Sequence, residues 1–551
     1  MKNLTTIGIV LTLILAPARF LALGTDFFDV VDKSSGPCLI KANDYPSLVE
    51  AAAQAICDRN TLLIATPQTL TANLTIPDTT VLEFQPGGSV SLTNEKTLTV
   101  LGPLRAPSVS IFSNANAGQG AVSFAGNKSL EYVSPEWWQE GDDGAKLNAA
   151  IAALPASGGR IDASSWQGQR TISTPVVISK PAQILFGAAT FTCPLNASCF
   201  KTWTSTATYN NISVEGIGRG LTTFTIATGA SPQVSANHFN NVFELHDPVN
   251  VMNGRFSDHI RIAHMTIDGN KAGVKLPAGA GADDVTHNAI FSAGTRYSTF
   301  EDLELKNFHY CGLSFGLYSQ FNSFSNIYTA NNGYPKPSGY GGILIGGTSF
   351  SNTITNHISN GDITGIQIYD NASNNILSGG SYSNDFHGIV LTDQRGNMSF
   401  GNKISATIYN SSSQGLSLGG LGVQRNFSID VVVDGTGGDQ GVFIGSNVKY
   451  SSFNLVVSRA AGAGVELRGS YNTLTIASAE NSRIAPASEY ALNMKGAAHN
   501  LIQLGAFDSG PGQRALSLDA NSTDNQITLL TTGAVATVSD NGRGNRIGNQ
   551  K

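Results

Sequence analysis

A four-residue pattern recurs along the second half of the chain: a glycine, an aliphatic residue, any residue, and a bulky apolar residue. Seven copies of the pattern begin at Gly312, Gly342, Gly365, Gly388, Gly415, Gly441 and Gly464, in steps of 30, 23, 23, 27, 26 and 23 residues. Copies with alanine in place of the glycine begin at Ala289, Ala491 and Ala515. A period in this range indicates a solenoid, in which each repeat stacks on the one before.

Each copy reads as strands and turns and not as a helix. Apolar residues alternate over a few positions and then meet Asn, Gly, Ser or Asp, as in the segment from Gly365 to Asp385. At roughly 3.3 Å per residue, three short strands and their turns fill one circuit of about 23 residues, and successive circuits stack about 4.8 Å apart. The sequence therefore predicts an all-β fold, a right-handed parallel β-helix.

Composition agrees with that fold and suggests a compartment. The chain is 41% hydrophobic but only 13% charged and holds 60 glycines, which suits turn-rich stacked rungs. Its net charge of −6 gives no support for nucleic-acid binding. Residues 1–24 combine Lys2, an apolar stretch from Ile7 to Leu15 and small residues near Ala18, which predicts a secretory signal peptide. We expect a secreted or periplasmic protein with no membrane span.

The chain divides into four parts. Residues 25–134 hold short alternating runs and predict an amino-terminal β-rich region, either leading rungs or a small separate domain. Residues 135–540 predict the β-helix, and residues 541–551 predict a tail. Apolar residues at helical spacing from Ala145 to Leu154, with Asp142 or Asp143 as a cap, predict a short amphipathic helix that covers the open end of the solenoid.

Five cysteines are compatible with an oxidising compartment. Cys193 and Cys199 bracket a short loop and can pair, and Cys38 can pair with Cys57. Cys311 is left over, and we interpret it as a small buried apolar residue.

The start of the β-helix carries a family resemblance. The run from Gly141 to Leu154, then Ser157-Gly-Gly-Arg-Ile-Asp and Thr171-Ile-Ser-Thr-Pro-Val-Val-Ile, resembles the opening motif of the pectate-lyase-superfamily β-helix proteins. The similarity covers roughly residues 135–480. It implies the fold, whereas the superfamily includes lyases, hydrolases, epimerases and phage-type depolymerases, so activity must be argued from the site.

Counting from the repeat glycines places two pairs of aspartates in register. Asp370 and Asp393 each follow their glycine by five residues, and Asp362 and Asp385 each precede theirs by three. Stacked carboxylates repel, so one must hold a proton, bind a cation or pair with a base. Asp370 and Asp393 can serve a glycosidase as acid and nucleophile or as acid and base. Either pair, Asp362 with Asp385 in particular, can instead hold Ca²⁺, and Asp is also simply a common turn residue.

Three further side chains complete a candidate catalytic set. His387 precedes Gly388 and is a candidate general base, and Tyr369 and Arg395 can supply a proton or neutralise a sugar carboxylate. The string from Asn384 to Gly388 also resembles segments of mannuronan C5-epimerases, which would make His387 the base. The Asp-Pro-His string of those enzymes is replaced here by Tyr369-Asp-Asn-Ala, which favours a lyase over an epimerase. Alternatively His387 is a solvent-facing turn residue.

Aromatic and basic residues border the same face. His309 and Tyr310 precede the Gly312 copy, and an insertion over residues 331–340 contributes Tyr334, Lys336 and Tyr340. These five residues are predicted to bind substrate, because long loops on a regular coil often wall a groove.

These features predict a carbohydrate-active enzyme that acts on a polysaccharide. Our first choice is a uronate-polysaccharide lyase that abstracts a proton and eliminates the glycosidic oxygen. The alternatives are a glycoside hydrolase that uses the stacked aspartates, a C5-epimerase, and a non-catalytic polysaccharide-binding or adhesin β-helix. Homo-oligomerisation stays open.

Overall fold

The protein forms a coil of stacked parallel strands. The structure is a computed structural model that describes residues 38–54, 60–115, 120–139, 141–231, 241–245, 251–276, 287–334, 340–438, 440–481, 490–505, 514–530 and 538–550. The predicted parallel β-helix is confirmed. The segment predicted to be a signal peptide, residues 1–24, lies outside the described residues.

Two long sheets form the main walls of the coil. In the residues that the structure describes, sheet 1 has 19 strands: Gly159–Ala163, Gly168–Thr171, Ala182–Phe186, Ala189–Cys193, Ile212–Glu215, Thr223–Ile226, Ile260–Asp268, Thr299–Lys306, Ser323–Ala330, Thr353–Thr355, Ile358–Asn360, Ile376–Ser383, Lys403–Ser411, Ser428–Thr436, Ser452–Ala460, Thr473–Asn481, Leu501–Leu504, Gln526–Leu530 and Arg546–Gln550. Sheet 2 has 14 strands within the same ranges: Val176–Val177, Phe200–Lys201, Phe243–Glu244, Ile290–Ala293, Leu313–Gly316, Ile343–Ile345, Thr364–Tyr369, His387–Asp393, Leu416–Gly420, Val442–Ile444, Val465–Leu467, Tyr490–Met494, Arg514–Leu518 and Val538–Asp540.

Short strands close the third side of the coil. They are Ser257–Asp258 with Thr295–Arg296, and Ser399–Phe400 with Gln424–Arg425 and Val448–Lys449. Trp203–Thr204 and Ala207–Thr208 form a small antiparallel pair.

Each copy of the repeated tetrapeptide lies in a strand of sheet 2, and the copies stack in register. Ile343 pairs with Ile366, Ile366 with Ile389, and Ile389 with Leu416. The aliphatic residues at these positions are fully buried, so they form a continuous apolar column inside the coil. The Ala289, Ala491 and Ala515 copies occupy the same register.

The glycine of the repeat is required because sheet 1 approaches it closely. A Cβ added at Gly388 would lie 2.5 Å from Cγ2 of Ile408, and one at Gly415 would lie 2.5 Å from Cγ1 of Val433. These contacts are far inside van der Waals separation, so a side chain at the head of the rung would push the two sheets apart. The glycines therefore set the width of the coil.

A ladder of buried asparagines holds the turns between rungs. Asn352 Oδ1 accepts from Asn322 Nδ2 at 2.9 Å and from its backbone N–H at 3.1 Å, and Asn352 Nδ2 donates to Asn375 Oδ1 at 3.0 Å. The ladder satisfies turn amides that would otherwise be buried without partners. Its members are Asn322, Asn352, Asn375 and Asn402, and, after an interruption, Asn472, Asn500, Asn525 and Asn545.

The carboxyl end corrects one prediction. The sequence predicts a tail over residues 541–551, but Arg546–Gln550 is the last strand of sheet 1. Asn545 continues the asparagine ladder by accepting from Asn525 Nδ2 at 3.0 Å, and Ile547 packs against the core. The polar composition of this end concealed one more complete rung.

The described part of the amino-terminal region is built from three small parallel sheets. Their strands are Cys38–Lys41, Asn60–Ile64, Thr80–Phe84 and Leu104–Arg105; Pro67–Leu70, Ser89–Leu92 and Phe112–Ser113; and Leu74–Ile76, Thr97–Val100 and Ala121–Ser123. Parallel bridges from Phe112 to Trp138 and from Val133 to Ile161 continue the stacking into the main coil. Short helical segments are Leu48–Ala53, Ala42–Asp44 and Pro135–Trp137.

The predicted amphipathic helix is Asp143–Ala153, capped by Asp142 Oδ1, which accepts from Ala145 N at 3.0 Å. Asn148 Nδ2 donates to the Pro175 carbonyl at 2.9 Å, so the helix lies against the first rung of the main coil. The Phe124 N–H donates to the Ala153 carbonyl at 2.8 Å, so the amino-terminal strands contact its end.

The cysteines agree with the prediction where the structure describes them. Cys193 and Cys199 form a disulfide, and Cys311 is a buried free thiol. Cys38 is disulfide-bonded, while Cys57, its predicted partner, lies outside the described residues. Among the helices of the described ranges, none combines the length and apolar character needed to span a membrane.

Candidate functional site

The outer face of sheet 2 carries the candidate site. In each tetrapeptide the two aliphatic residues point inward, so the third residue points outward. The outward residues form one column across the rungs: Phe291, Ser314, Leu344, Gln367, Val390, Ser417 and Phe443. Two adjacent clefts lie over this column.

The first cleft brings together four of the predicted site residues. It has a volume of about 230 Å³ and is lined by Tyr310, Tyr369, Asp370 and Arg395 over a floor that includes Ser314 and Leu344. The Arg395 side chain is 73% exposed, so its guanidinium is accessible from solvent. This cleft therefore combines phenol groups with one accessible cation.

Tyrosines form one wall of the first cleft. The rings of Tyr310 and Tyr340 stack with centroids 4.3 Å apart. The Tyr369 ring lies over Gly346. A Cβ added at Gly346 would lie 1.9 Å from Cε1 of Tyr369, so only glycine allows the ring to pack there. Burial raises the pKa of Tyr310, and the nearby Cys311, Tyr340 and Tyr369 act in the same direction. Tyr310 is therefore a hydrogen-bond donor at physiological pH.

Asp370 anchors Arg395. Asp370 Oδ2 lies 3.1 Å from Arg395 Nε, and Oδ1 accepts from the Gln394 backbone N–H at 3.0 Å. Asp370 is only 4% exposed, so this ion pair orients the arginine from below. Because Asp370 engages Nε, the terminal nitrogens of the guanidinium are the part directed to a ligand.

Asp393 stacks below Asp370 as predicted, but it is inaccessible. Tyr369 pairs with Thr392, which makes Asp370 and Asp393 neighbours on adjacent rungs. Asp393 is fully buried, and a Cβ on Gly422 would lie 2.3 Å from its Oδ2. Its Oδ1 accepts from the Arg395 backbone N–H at 2.9 Å. A substrate cannot reach this carboxyl, so the pair lacks the open geometry that a glycosidase needs.

His387 lies in the second cleft and not beside Arg395. The second cleft has a volume of about 270 Å³ and is lined by His387, Gln367, Gln394, Gln414 and Phe443, among others. His387 begins the strand that Asp393 ends, which separates their backbones by about 20 Å. The predicted catalytic set is therefore divided between two clefts. His387 lies one residue before its repeat glycine, whereas Asp370 and Arg395 lie five and seven residues after theirs, so stacking brings them to opposite ends of the strands.

Asp362 and Asp385 lie inside the coil. The Asp362 backbone N–H donates to Asp385 Oδ1 at 2.8 Å, and Asp362 accepts from Thr329 Oγ1 at 2.6 Å and from the Asn332 N–H at 2.6 Å. Ser359 Oγ lies between the carboxyls, 2.8 Å from Asp362 and 2.9 Å from Asp385. The pair thus ties turns together as the asparagines do elsewhere.

This buried pair titrates unusually. Burial raises the pKa of Asp362 to about 6, against the opposing effect of its hydrogen-bond donors. Burial and the charge of Asp362 raise the pKa of Asp385 to about 8. Within the ranges that the structure describes, no cluster of three or more His, Cys, Asp or Glu side chains is arranged to hold a metal ion. A calcium role for the pair stays a prediction.

The remaining predicted substrate-binding residues lie beside the first cleft or outside the described ranges. His309 Nε2 donates to the Lys271 carbonyl at 3.1 Å, and burial lowers its pKa. Lys271 Nζ donates to the Gly333 carbonyl at 2.6 Å, which ties the 268–276 segment to the insertion. Tyr334 is partly buried, and Lys336 lies outside the described residues.

Sequence reasoning missed the amides and the aromatic ring of the second cleft. Gln367 and Phe443 occupy the outward position of their tetrapeptides, and Gln414 precedes Gly415 as His387 precedes Gly388. The sequence did contain the information, because counting from the repeat glycines, which aligned the aspartates, also aligns these residues with one another. Neutral amides and rings carry no charge pattern that singles them out.

Comparison with known proteins gives structural likenesses of low identity. No protein-family model and no curated protein matches the sequence. Among solved structures, the chain is similar to the A-module of mannuronan C-5 epimerase AlgE6 of Azotobacter vinelandii, at 14% identity and a TM-score of 0.41 over 74% of this chain and 96% of that one.

Two other solved structures show how widely such likenesses spread. The Agl-KA catalytic domain is 13% identical, with a TM-score of 0.41 over 78% of this chain and 70% of that one. PfbA, a surface adhesin of Streptococcus pneumoniae, is 12% identical, with a TM-score of 0.36 over 76% of this chain and 93% of that one. The activity of this chain therefore has to be argued from its own residues.

Proposed function

We propose that the protein is a secreted carbohydrate-active enzyme that cleaves a uronate-containing polysaccharide by β-elimination. The observation that carries this proposal is the first cleft, where Tyr369 and the accessible guanidinium of Arg395 line the same space. Arginine recognises carboxylates through paired N–H donors. A cleft that offers a cation for the sugar carboxylate and a phenol for proton transfer suits this chemistry.

The reaction needs no group beyond those in the cleft. Tyr369, as its phenolate, takes the proton on the carbon that bears the carboxylate, and the electron pair left behind forms a carbon–carbon double bond. The bond from the adjacent carbon to the glycosidic oxygen breaks, and that oxygen takes up the proton now held by the Tyr369 hydroxyl. The products are an unsaturated uronate and a new chain end, and no water is consumed.

Arg395 and Tyr369 have distinct roles in this proposal. Arg395 binds the uronate carboxylate and stabilises the negative charge that develops when the proton leaves. Tyr369 transfers the proton, and the Tyr310 ring, stacked on Tyr340, forms the wall of the cleft beside the sugar. Asp370 is a positioning residue, because it acts by holding Arg395. This replaces the predicted role of His387 as the base, since His387 lines the other cleft.

The burial of Asp393 argues against hydrolysis by the aspartate pair. Epimerisation shares the first proton transfer with elimination and then returns a proton to the opposite face of the same carbon, so the products of the two reactions distinguish them. Export rests on the signal-peptide pattern of residues 1–24.

The test is incubation of the purified protein with alginate, polygalacturonate, other uronans and neutral glucans. Ultraviolet absorbance of unsaturated uronate and the appearance of reducing ends are measured together, with Ca²⁺ and with a chelator. We expect absorbance to rise on at least one uronan and to rise much more slowly in Arg395→Gln. The matched control is Arg425→Gln, an exposed arginine on the third side of the coil. Reducing ends without absorbance, or silence on every uronan, would contradict the proposal.

A further inference from the structure

Gln367 presents an unpartnered amide oxygen to the second cleft. It occupies the outward position between Leu344 and Val390 on the neighbouring rungs and lines the cleft. The residue is only 6% exposed, and its Oε1 has no hydrogen-bond partner among the described residues. Buried polar atoms in folded proteins are nearly always paired with a protein group, water or a ligand, so this oxygen is a hydrogen-bond acceptor at the second cleft that no described protein group satisfies.

The two clefts differ in charge. The described lining of the second cleft holds amides, hydroxyls, one imidazole and the Phe443 ring, with no Lys, Arg, Asp or Glu. The first cleft contains Arg395 and Asp370. An ionised sugar is therefore matched by the first cleft, whereas nothing in the described lining of the second provides a counter-charge. The Arg468 guanidinium lies over the Phe443 ring but is paired with Glu466, whose Oε1 accepts from Arg468 Nε at 2.7 Å.

The chemistry of Gln367 selects hydroxyls over carboxylates. A carboxylate only accepts hydrogen bonds, so it cannot satisfy an amide oxygen. A sugar hydroxyl both donates and accepts, so it satisfies the amide in either orientation of the oxygen and nitrogen. Phe443, two rungs beyond Val390 in the outward column, adds an aromatic surface on which an apolar sugar face can rest.

The clefts share a boundary. Gln394 lines the second cleft, and its backbone N–H donates to Asp370 Oδ1 in the first at 3.0 Å. Their contact lets neighbouring sugars of one chain occupy both clefts.

We propose that the second cleft is a subsite for a neutral, hydroxyl-bearing sugar, so that the natural substrate is a heteropolysaccharide containing both neutral and uronate sugars. This inference rests on the proposed function for the identity of the acidic sugar in the first cleft. It assigns Gln367 as a specificity-determining residue and Phe443 as the stacking surface.

The test measures binding of the full chain to immobilised glycans of three kinds: uronate homopolymers, neutral glucans and mannans, and mixed polymers such as gellan. Gln367→Leu removes the amide without changing side-chain size greatly, and Gln503→Leu on the exposed face of sheet 1 is the matched control. We expect Gln367→Leu to weaken binding of a mixed polymer about tenfold, the effect of one neutral hydrogen bond.

The outcomes separate the inference from the proposed function. If uronate homopolymers bind as tightly as mixed polymers and Gln367→Leu changes neither, the neutral subsite is wrong while the uronate site stands. If a neutral glycan binds through Gln367 and Arg395→Gln has no effect on any glycan, the subsite stands and the proposed function fails. Absence of binding to every glycan would overturn both.

Discussion

The backbone N–H of Asp362 donates to Oδ1 of Asp385 on the next rung at 2.8 Å. The backbone N–H of Asn332, on the preceding rung, donates in the same way to Oδ1 of Asp362 at 2.6 Å. Two aspartates thus occupy ladder positions that asparagines hold in other turns. An aspartate accepts the same backbone hydrogen bond, but its buried carboxyl can also gain or lose a proton, so the stability of the fold depends on pH.

Asp385→Asn should make the protein more stable at alkaline pH. The pKa values of Asp362 and Asp385 are raised to about 6 and about 8, against the ordinary value of 3.8 for an unfolded Asp. Between about pH 4 and pH 8 the folded state therefore binds more protons than the unfolded state, so this contribution to stability is full below pH 4 and lost as the pH rises. The amide removes that loss, and we expect a gain of about 1–3 kcal/mol at pH 8.

The measurement is chemical denaturation from pH 4 to pH 8 for both proteins. The wild-type free energy of unfolding should fall more steeply over this range than that of Asp385→Asn. If the free energy of unfolding changed with pH equally in both proteins, the aspartate pair would bind no more protons in the folded state than in the unfolded state.

Asn352→Ala should destabilise the coil strongly. Asn352 is fully buried and joins Asn322, Asn375 and the Ser319 carbonyl. Its loss leaves several buried groups unpaired, and we expect a cost of about 2–4 kcal/mol. The control is Asn454→Ala, which removes an exposed side-chain bond to Asp430 and should cost less than about 0.5 kcal/mol. Equal midpoints in a denaturation experiment would argue against a structural role for the ladder.

The repeat made the fold predictable because each tetrapeptide encodes its own geometry. Gly388 must lack a side chain where Ile408 approaches, and Ile389 must be apolar where it joins the buried column. The asparagine ladder was harder to foresee, since each Asn alone looks like any turn residue and its role appears only when the rungs are stacked. The last strand, Arg546–Gln550, was missed for the same reason.

Arg395 and Tyr369 should affect different kinetic parameters. Arg395→Gln removes the cation that binds the sugar carboxylate, so KM should rise as well as kcat fall. Tyr369→Phe keeps the ring over Gly346 but removes the hydroxyl, so kcat should fall by about 10²–10⁴ with little change in KM. Initial rates from absorbance of unsaturated uronate check both. A Tyr369→Phe enzyme with normal kcat would exclude this residue from proton transfer.

His387→Ala should leave the chemical step largely intact. His387 lines the second cleft, about 20 Å along the strand from the Asp370 end of sheet 2. With short uronate oligomers that fill only the first cleft, we expect kcat to stay within about a factor of two. With the full polymer, KM should rise because a binding contact is lost. A large loss of kcat on short oligomers would restore His387 as the base.

The candidate site was only partly readable from sequence. Counting from the repeat glycines placed Asp370 above Asp393 and brought Tyr369 and Arg395 to one face. The count carried no information on burial, which hides Asp393 and depends on how loops and turns close over the coil. The offsets of His387 and Arg395 from Gly388, one residue before and seven after, already correspond to opposite ends of the strand, but grouping the residues by rung overlooked that separation.

A crystal structure of the Tyr369→Phe variant with an oligouronate would test the proposed site, the substitution being chosen to slow turnover. We expect a uronate carboxylate within hydrogen-bond distance of the terminal nitrogens of Arg395, with the sugar in the first cleft on the outer face of sheet 2. An oligosaccharide bound on sheet 1, or one that leaves Arg395 untouched, would rule out the first cleft as the uronate site.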